Sequence, residues 1–215
     1  MELIAISLAR VAAFLELQSL DPRGQTSTPD GFKALATRYS FTKIPQKYEE
    51  FDFQKGAEFL DGKFEGIVIE RLTLFNNGVA IDTRSSTENC AKVLDDLLNV
   101  VRERYGAAMA PTRRLQLSQI IFRSGMKFST VHPTLQPIAD QLTASVSGDL
   151  GQPVLYDIFS IGLSADLSQI KLTPSQFTIE RRVDTPFGAN IYFSSAPLST
   201  TDHIALIEKF ETAMG

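Results

Sequence analysis

The hydrophobic pattern at the start of the chain predicts a β-strand followed by a short helix. Residues 10–20 suit a strand with one apolar face. That face consists of Val11, Ala13, Leu15 and Leu17, and the other of Ala12, Phe14, Glu16 and Gln18. A helix over residues 2–20 is the alternative interpretation, since four apolar side chains also recur at helical spacing: Ile4, Leu8, Val11 and Leu15. Thr28, followed by a proline and an aspartate, is typical of a helix start. Residues 40–56 carry aromatic side chains without a period, which indicates a loop anchored by those rings.

Two turn signals in the next segment predict three consecutive antiparallel strands. Asp61-Gly62 is typical of a two-residue hairpin turn, and it separates apolar segments at residues 56–60 and 63–75. Asn76-Asn77-Gly78 is the second turn signal, and residues 79–83 form the strand after it. The pattern therefore predicts a small antiparallel meander.

Two helices are predicted from capping-box sequences. Ser85 with Glu88 three residues later begins a strongly periodic segment that Gly106 ends. Its predicted buried stripe consists of Cys90, Leu94, Leu97, Leu98, Val101 and Tyr105. Ser199 with Asp202 is the second capping box, and it opens a helix that runs to the end of the chain. Both helices follow a predicted hairpin.

In the second part of the chain the order of elements begins again. Strands are predicted over residues 113–122 and 154–163, with a helix over residues 134–148 between them. The buried stripe of that helix is predicted to be Ile138, Leu142 and Val146. A hairpin follows, with strands at residues 177–183 and 189–194. Each part of the chain thus has the order strand, helix, three strands, helix.

An internal similarity supports this repetition. Residues 67–81 (IVIERLTLFNNGVAI) and 177–191 (FTIERRVDTPFGANI) are similar at an offset of 110. Five pairs are identical: Ile69/Ile179, Glu70/Glu180, Arg71/Arg181, Gly78/Gly188 and Ile81/Ile191. We therefore predict an α+β protein of two similar βαβββα halves, at residues 1–108 and 109–215, within one continuous domain.

The element order resembles the pseudo-symmetric saddle of TATA-binding-protein-like folds and the helix-grip-like arrangement. The resemblance implies a largely antiparallel sheet with the helices on one face. No sequence motif of either family is matched, so no functional residue and no DNA binding are implied.

Composition and charge narrow the possible partners. The chain has 21 Lys and Arg residues against 25 Asp and Glu residues, a net charge of −4, which argues against an extended nucleic-acid surface. A single cysteine excludes an intrachain disulfide scaffold. Residues 1–20 are apolar, but Glu2, Arg10 and Glu16 interrupt them, so neither a signal peptide nor a membrane anchor is predicted. We expect a cytoplasmic protein that binds neither nucleic acid nor membrane.

Candidate catalytic residues are few. His132 and His203 are the only histidines and Cys90 is the only thiol, so no spacing suggests a metal site, and no cofactor is predicted. Cys90 falls on the apolar stripe of its helix, where a buried and inert thiol is expected. His203 falls in the first turn of the last helix, where a surface position is expected. Whether the protein is an enzyme stays open, and the lack of a catalytic motif favours the answer no.

Two arginines are the candidate binding residues. Arg113 and Arg181 lie on predicted strands, and each shares a strand face with apolar side chains. An arginine on an apolar face is either paired with a carboxylate or a ligand for an anion. Structural ion pairing is the first interpretation, and anion binding is the alternative.

The functional prediction comes from strands that are apolar on both faces. Residues 67–75 and 154–163 both show this pattern, whereas an antiparallel sheet with one wet face alternates apolar and polar side chains. The second face then needs a cover. We therefore predict a non-enzymatic protein-interaction module, a homo-oligomer or a subunit of a larger complex, that acts through an apolar sheet face. The alternative is a ligand-binding domain or hydrolase that uses the concave sheet as a pocket for an anionic small molecule.

Overall fold

Eight strands and five α-helices are found in the part of the chain that the computed structural model describes, which is residues 1–15, 28–46, 50, 52–105, 111–166, 168 and 173–214. The strands are β1 (Glu2–Phe14), β2 (Ala57–Phe64), β3 (Ile67–Phe75), β4 (Gly78–Thr83), β5 (Arg113–Arg123), β6 (Ser160–Leu163), β7 (Phe177–Arg181) and β8 (Ile191–Ala196). The helices are α1 (Thr28–Arg38), α2 (Thr87–Tyr105), α3 (Phe128–Val131), α4 (Gln136–Leu150) and α5 (Thr200–Met214). The strands form an open antiparallel sheet in the order β2-β3-β4-β1-β5-β8-β7-β6, which confirms the predicted α+β class.

The chain divides into two compact units. The first unit consists of Ile6–Gln119 with Pro197–Thr200. The second unit consists of Met1–Ala5, Ile120–Ala196 and Thr201–Gly215. Strands β1 and β5 therefore contribute residues to both units. The predicted boundary near residue 108 stays a prediction.

The core of the first unit is a row of apolar side chains that crosses four strands. Phe59 pairs with Leu72, Leu72 with Ile81, and Ile81 with Val11, and all four side chains are buried. Helix α2 adds its own apolar stripe to the same cluster, with Cys90, Val93, Leu94, Leu97, Leu98 and Val101 buried. The predicted stripe of α2 is thus confirmed, although the side chain of Tyr105 lies outside the described residues.

Strand β1 confirms the strand prediction and rules out the helical alternative for its residues. The strand begins at Glu2, earlier than predicted, and alternate side chains from Ala9 to Ala13 are buried. The predicted end of this element, residues 16–20, lies outside the described residues. Burial alternates at every position from Ala9 to Leu15, as the predicted strand face of Val11, Ala13 and Leu15 requires.

The first predicted hairpin turn is wrong. Strand β2 continues through Asp61 and Gly62, and the turn lies at Glu65-Gly66, where both residues have positive φ as a type I′ turn requires. Asp61 also has a positive φ, of 57°, but inside the strand. A Cβ atom at Gly62 would lie 2.4 Å from the Phe41 ring, so this glycine makes room for an aromatic side chain rather than for a turn.

Strand β3 is not apolar on two faces in the predicted sense. Its buried apolar positions change from odd to even numbers between Ile69 and Leu72, and residues on both sides of the change belong to one core cluster. Val68 is exposed. The apolar side chains of the strand therefore all contribute to one core, although the alternation of buried positions shifts by one residue. The shift lies opposite Asp61 of β2, whose φ is positive.

Helix α2 begins one residue later than its predicted capping box. The Oγ atom of Ser86 accepts a hydrogen bond from the backbone N–H of Asn89, at 3.2 Å, so Ser86 is the N-cap and Thr87 is the first helical residue. The predicted cap, Ser85, instead bonds the side chains of Thr83 and Asn89. Both residues belong to a run of serine and threonine, in which sequence alone does not single out the cap.

In the second unit several predicted bounds are wrong. The predicted strand over residues 154–163 is a strand only from Ser160 to Leu163. Helix α4 has no side-chain cap from Thr134, and it passes through Gly148 to end at Gly151, whose φ of 64° is left-handed. Strand β7 ends at Arg181, short of the predicted residue 183.

The two predicted hairpins have the same register. Arg71 of β3 pairs with Asp82 of β4, and Arg181 of β7 pairs with Tyr192 of β8. Both members of the second pair lie 110 positions after those of the first. Ile69 and Ile179 are both fully buried.

Candidate interaction surface

Helix α4 presents its large apolar side chains to solvent. Ile138 and Leu142, four residues apart on one stripe, are 54% and 44% exposed, and Ala139 is the only buried residue described in the helix. The prediction that Ile138, Leu142 and Val146 form a buried stripe is therefore wrong for Ile138 and Leu142, whereas Val146 is half-buried. Helical periodicity identified the stripe correctly but assigned it to the wrong side of the helix.

The packed side of α4 consists of small and polar side chains instead. Ala139, Thr143 and Ser147 recur every four residues along this side. The Thr143 Oγ1 atom accepts a hydrogen bond from the backbone N–H of Tyr156 at 2.9 Å. The Ser147 hydroxyl accepts from the N–H of Val154 at 2.9 Å and donates to its carbonyl at 3.1 Å. These hydroxyls hold the segment after α4 along the helix.

That segment and strand β6 also carry exposed apolar side chains. Eight of the thirteen large hydrophobic side chains that are exposed among the described residues lie between residues 135 and 163: Leu135, Ile138, Leu142, Leu150, Leu155, Tyr156, Phe159 and Leu163. We call these eight side chains the α4–β6 surface. Isolated exposed hydrophobic residues are ordinary, but such a concentration is typical of an interaction site.

Among the described residues, strand β6 pairs only with β7. It ends the order of strands, and no described residue pairs with its outer side. At the other end of the order, the edge of β2 is covered by the preceding loop, since Leu60 and Lys43 exchange backbone hydrogen bonds. Edge strands usually carry charge or proline that prevents pairing, whereas β6 reads Ser-Ile-Gly-Leu.

The α4–β6 surface lies in a segment that lacks positive charge. From residue 128 to residue 170 the sequence contains no Lys or Arg, although the chain has 21 in total. It does contain Asp140, Asp149 and Asp166, all exposed. Asp149 follows Leu142 by seven residues and so lies on the same outward stripe of α4. Asp140 is two residues from both Ile138 and Leu142 and therefore lies on a different side of α4.

The sheet of the first unit was predicted to expose an apolar face, but its face opposite the core carries a row of charged side chains. On the side of the sheet opposite the Val11 row, Asp82 lies between Arg10 and Arg71. Asp82 is buried, and it accepts hydrogen bonds from Arg10 at 2.6 and 2.8 Å and from Arg71 at 3.1 Å. Glu58 also pairs with Arg71, at 3.1 Å. Opposite charges thus balance on these strands, so this row supplies no apolar docking face.

Arg181 is a buried side chain whose hydrogen bonds go to neighbouring groups of the protein. It is 7% exposed. Its guanidinium donates to the Asp157 carboxylate at 2.5 Å and to the carbonyl oxygens of Ile158 and Phe187, each at 3.3 Å. The guanidinium carbon also lies 4.6 Å from the centre of the Phe187 ring. The geometry matches the structural ion pair that the sequence indicated first.

Arg113 is exposed at the first residue of β5, in the first unit, whereas Arg181 lies in the second unit. The neighbouring Arg114 pairs with Asp95 of α2 at 2.7 Å. A groove of about 550 Å³ also lies in the first unit, and its charged lining side chains are Glu65, Glu70, Arg84 and Lys92. Arg84 pairs with Glu70 at 3.0 Å. Because its lining carries both signs of charge, this groove has no evident preference for an anion.

His203 is the residue that sequence reasoning placed wrongly. It is fully buried in the first turn of α5, where a surface position was expected. Ser194 donates its hydroxyl proton to the Thr178 carbonyl at 2.7 Å, so it accepts from His203 Nε2–H at 2.8 Å. Nδ1 then carries no proton, and no hydrogen-bond partner for it is found among the described residues. Burial lowers the pKa of His203 to about 4, so the ring is neutral at pH 7.

No protein-family model matches this chain, and a search of curated proteins found no similar sequence. Among the described helices, none combines the length and the hydrophobicity that crossing a bilayer requires. The described residues also contain no group of three His, Cys, Asp or Glu side chains placed to hold a metal ion.

Proposed function

We propose that this protein is a non-enzymatic interaction module that binds another protein through the α4–β6 surface. It acts by self-association or as a subunit of a larger complex. The cytoplasm is the proposed location, because a single cysteine allows no disulfide framework of the kind that stabilises small secreted proteins. The acidic balance of the chain favours a protein over a nucleic acid as the partner.

One observation carries this proposal, namely the outward apolar stripe of α4. Exposing Ile138 and Leu142 to water costs free energy, since burying a large aliphatic side chain is worth roughly 1.5–3 kcal/mol. A helix whose small side chains face inward gains little from packing in the isolated chain. The arrangement becomes favourable when a partner covers the stripe.

Site-specific photo-cross-linking tests the proposal. A photoreactive amino acid at position 138 should give an adduct of defined mass in the cells that produce the protein, and one at position 142 should give the same adduct. Position 68 is the control, because Val68 is equally exposed but lies in the first unit. Absence of an adduct at both α4 positions would contradict the proposal.

Sedimentation velocity at micromolar concentration then separates the two forms of the proposal. If the chain self-associates, we expect a species heavier than the 23.8 kDa monomer, and the double substitution Ile138→Ser/Leu142→Ser should then restore the monomer. A monomer that still forms the adduct at position 138 indicates a different partner protein.

The alternative function, binding of an anionic small molecule by Arg181 or Arg113, has weaker support. All three nitrogens of Arg181 already donate to protein oxygens. Native mass spectrometry of the purified protein is the test, because a retained small molecule that is lost on Arg113→Ala would favour the ligand-binding function.

We also infer that the two parts of the chain arose by duplication. The support is the order of elements, β1-α1-β2-β3-β4-α2 followed by β5-α3-α4-β6-β7-β8-α5, and the shared hairpin register. The starts of α2 and α5 differ by 113 positions rather than 110, which leaves room for a longer connection before α5. An experimental structure in which residues 57–105 and 160–214 do not superpose would refute this inference.

A further inference from the structure

The groove of the first unit lies beside a part of β3 that β4 does not reach. Strand β4 pairs with β3 only from Arg71 to Phe75, whereas the pairing of β3 with β2 continues to Ile67. One wall of the groove belongs to the β2–β3 hairpin, at residues 65–68 and 70. The other wall belongs to the loop after β4 and the start of α2, at residues 84, 85, 89 and 92. The volume of about 550 Å³ is within the range of roughly 300–1,000 Å³ that is usual for a ligand site.

The backbone of Val68 faces this groove. The turn between β2 and β3 consists of two residues, Glu65 and Gly66, so the flanking Phe64 and Ile67 form a hydrogen-bonded pair. Backbone groups alternate in direction along a strand, so the N–H and C=O of Val68 point away from β2. No described strand pairs with Val68 on that side. The edge of β3 therefore offers one donor and one acceptor to an extended chain in the groove.

The lining of the groove carries two charges of opposite sign in addition to one ion pair. Arg84 and Glu70 pair with each other at 3.0 Å. Lys92 on the helix wall and Glu65 on the hairpin wall are both exposed. Neither forms an ion pair with another side chain among the described residues. Val68 adds an apolar side chain that is 55% exposed.

From these features we infer that the groove binds an extended peptide segment that carries one acidic and one basic side chain. The segment pairs with Val68 as an added strand, its acidic side chain reaches Lys92, and its basic side chain reaches Glu65. A peptide fits better than a free amino acid, because only an extended chain presents the N–H and C=O alternation of strand pairing. The inference goes beyond the proposed function, since the groove lies in the first unit and the α4–β6 surface in the second.

Titration of the isotope-labelled full chain with synthetic peptides, followed by NMR, tests the inference. The probe is acetyl-Thr-Val-Glu-Thr-Lys-Val-Thr-amide, whose blocked termini leave the glutamate and the lysine as its only charges. We expect the probe to shift the amide signals of Val68, Asn89 and Lys92 and to leave those of α4 unchanged. N-methylation of the three central residues of the probe removes donors on both of its edges and should weaken binding at least about fivefold.

Two charge-reversed proteins test whether Lys92 recognises the probe. Lys92→Glu should weaken binding at least about threefold, since an exposed ion pair is replaced by repulsion. Lys33→Glu changes the net charge by the same amount, but Lys33 is an exposed residue of α1 outside the groove. Binding to the Lys33 variant should therefore match binding to the natural protein.

Three results would each overturn the inference. They are the absence of shifts at the groove amides, equal binding of the N-methylated probe, and equal binding to Lys92→Glu. Free glutamate and lysine that reproduce the shifts at the same concentration as the probe would identify a small zwitterionic ligand instead. A cross-linked adduct at position 68 reports this groove, whereas an adduct common to positions 138 and 142 reports the α4–β6 surface. Failure of either site therefore leaves the other standing. Circular dichroism of each variant shows that its fold is retained.

Discussion

Thr87 and Thr200, 113 positions apart in the sequence, each donate their backbone N–H to the hydroxyl of the other. The N–H of Thr87 donates to Thr200 Oγ1 at 3.0 Å, and the N–H of Thr200 donates to Thr87 Oγ1 at 2.7 Å. Each threonine is the first residue of a helix, α2 or α5, where backbone N–H groups have no partner within the helix. Both residues are buried, so each hydroxyl supplies an acceptor that water cannot supply.

Because the two hydrogen bonds join the same pair of residues, we expect substitutions of Thr87 and Thr200 to have non-additive effects on stability. Thr87→Val or Thr200→Val leaves one buried N–H without its acceptor and should each lower the free energy of unfolding by about 1–3 kcal/mol. The double substitution should cost less than the sum, because both single changes also break the hydroxyl contact of 3.3 Å between the two side chains. Urea denaturation of the four proteins measures the coupling. Thr212→Val, at an exposed position of α5, is the control and should change little.

In helix α4 we expect replacement of large apolar side chains to cost less stability than replacement of a small polar one. Ile138→Ser and Leu142→Ser should each change the free energy of unfolding by less than about 0.5 kcal/mol, because both side chains are already exposed. Ser147→Ala removes both hydrogen bonds to Val154 and should cost about 1–2 kcal/mol. Thermal or chemical denaturation ranks the three variants. A large loss at Ile138 would mean that its side chain is covered within the chain.

Sequence periodicity predicted α2 well because period and burial coincide there. Leu94 and Leu97 lie on an apolar stripe that meets the strands of the first unit, and no other face of α2 competes for the core. The β-alternation of Val11 and Ala13 succeeded for the same reason. Where one face of an element is apolar and one side of the fold is dry, the pattern determines the packing.

The candidate surface could not be predicted because periodicity does not say which face of a helix meets the core. In α4 the row of Ala139, Thr143 and Ser147 has the same spacing as an apolar stripe, and small side chains allowed the neighbouring segment to approach. The same limit applies to Thr87 and Thr200, whose contact depends on tertiary structure. A row of small and polar residues beside an apolar stripe is the sequence signal that could have predicted that the small side chains pack inward and the apolar stripe faces solvent.

The buried imidazole of His203 predicts a loss of stability in acid. Its pKa is lowered to about 4 in the folded protein from an ordinary value of 6.5, so the unfolded chain takes up a proton in this window and the folded chain does not. Stability is therefore fully present above pH 6.5 and falls as the pH drops toward 4. The contribution between pH 7 and pH 5 is about 2 kcal/mol.

His203→Gln is the matched variant, because a glutamine amide can donate to Ser194 but does not titrate. Its free energy of unfolding, measured at both pH values, should fall less than that of the natural protein by the same amount. An equal fall in both proteins would assign the acid sensitivity to the carboxylates.

Cys90 is predicted to be unreactive in the folded protein. Burial raises its pKa to about 11, and the thiol lies 3.3 Å from the carbonyl oxygen of Ala9 and 3.4 Å from the Thr83 hydroxyl. A thiol reagent at pH 8 should therefore react only after a denaturant is added, since the reactive thiolate is disfavoured and inaccessible. Rapid reaction of the folded protein would contradict the buried position and reopen a chemical role for this residue.

Arg181→Ala decides between the structural and the functional interpretation of the repeated Ile-Glu-Arg sequence. Removing the guanidinium leaves the Asp157 carboxylate, which is 24% exposed, without its cation, and breaking a buried pair costs about 3–5 kcal/mol. The partial exposure of Asp157 favours the lower end of that range. Arg123→Ala is the control, because Arg123 and Glu2 form an exposed pair worth about 0–1 kcal/mol.

The repeated residue Arg71 should respond differently from Arg181. Asp82 keeps its two hydrogen bonds from Arg10 when Arg71 is replaced by alanine, so the loss should be smaller than at Arg181. Chemical denaturation of the three variants gives this ranking. Arg181→Ala could instead unfold at nearly the same denaturant concentration as the natural protein and lose the binding of a partner or a ligand. The role of this arginine would then not be the structural ion pair. Arg181 would then be a binding residue, and the weaker of the two functional proposals would become the stronger.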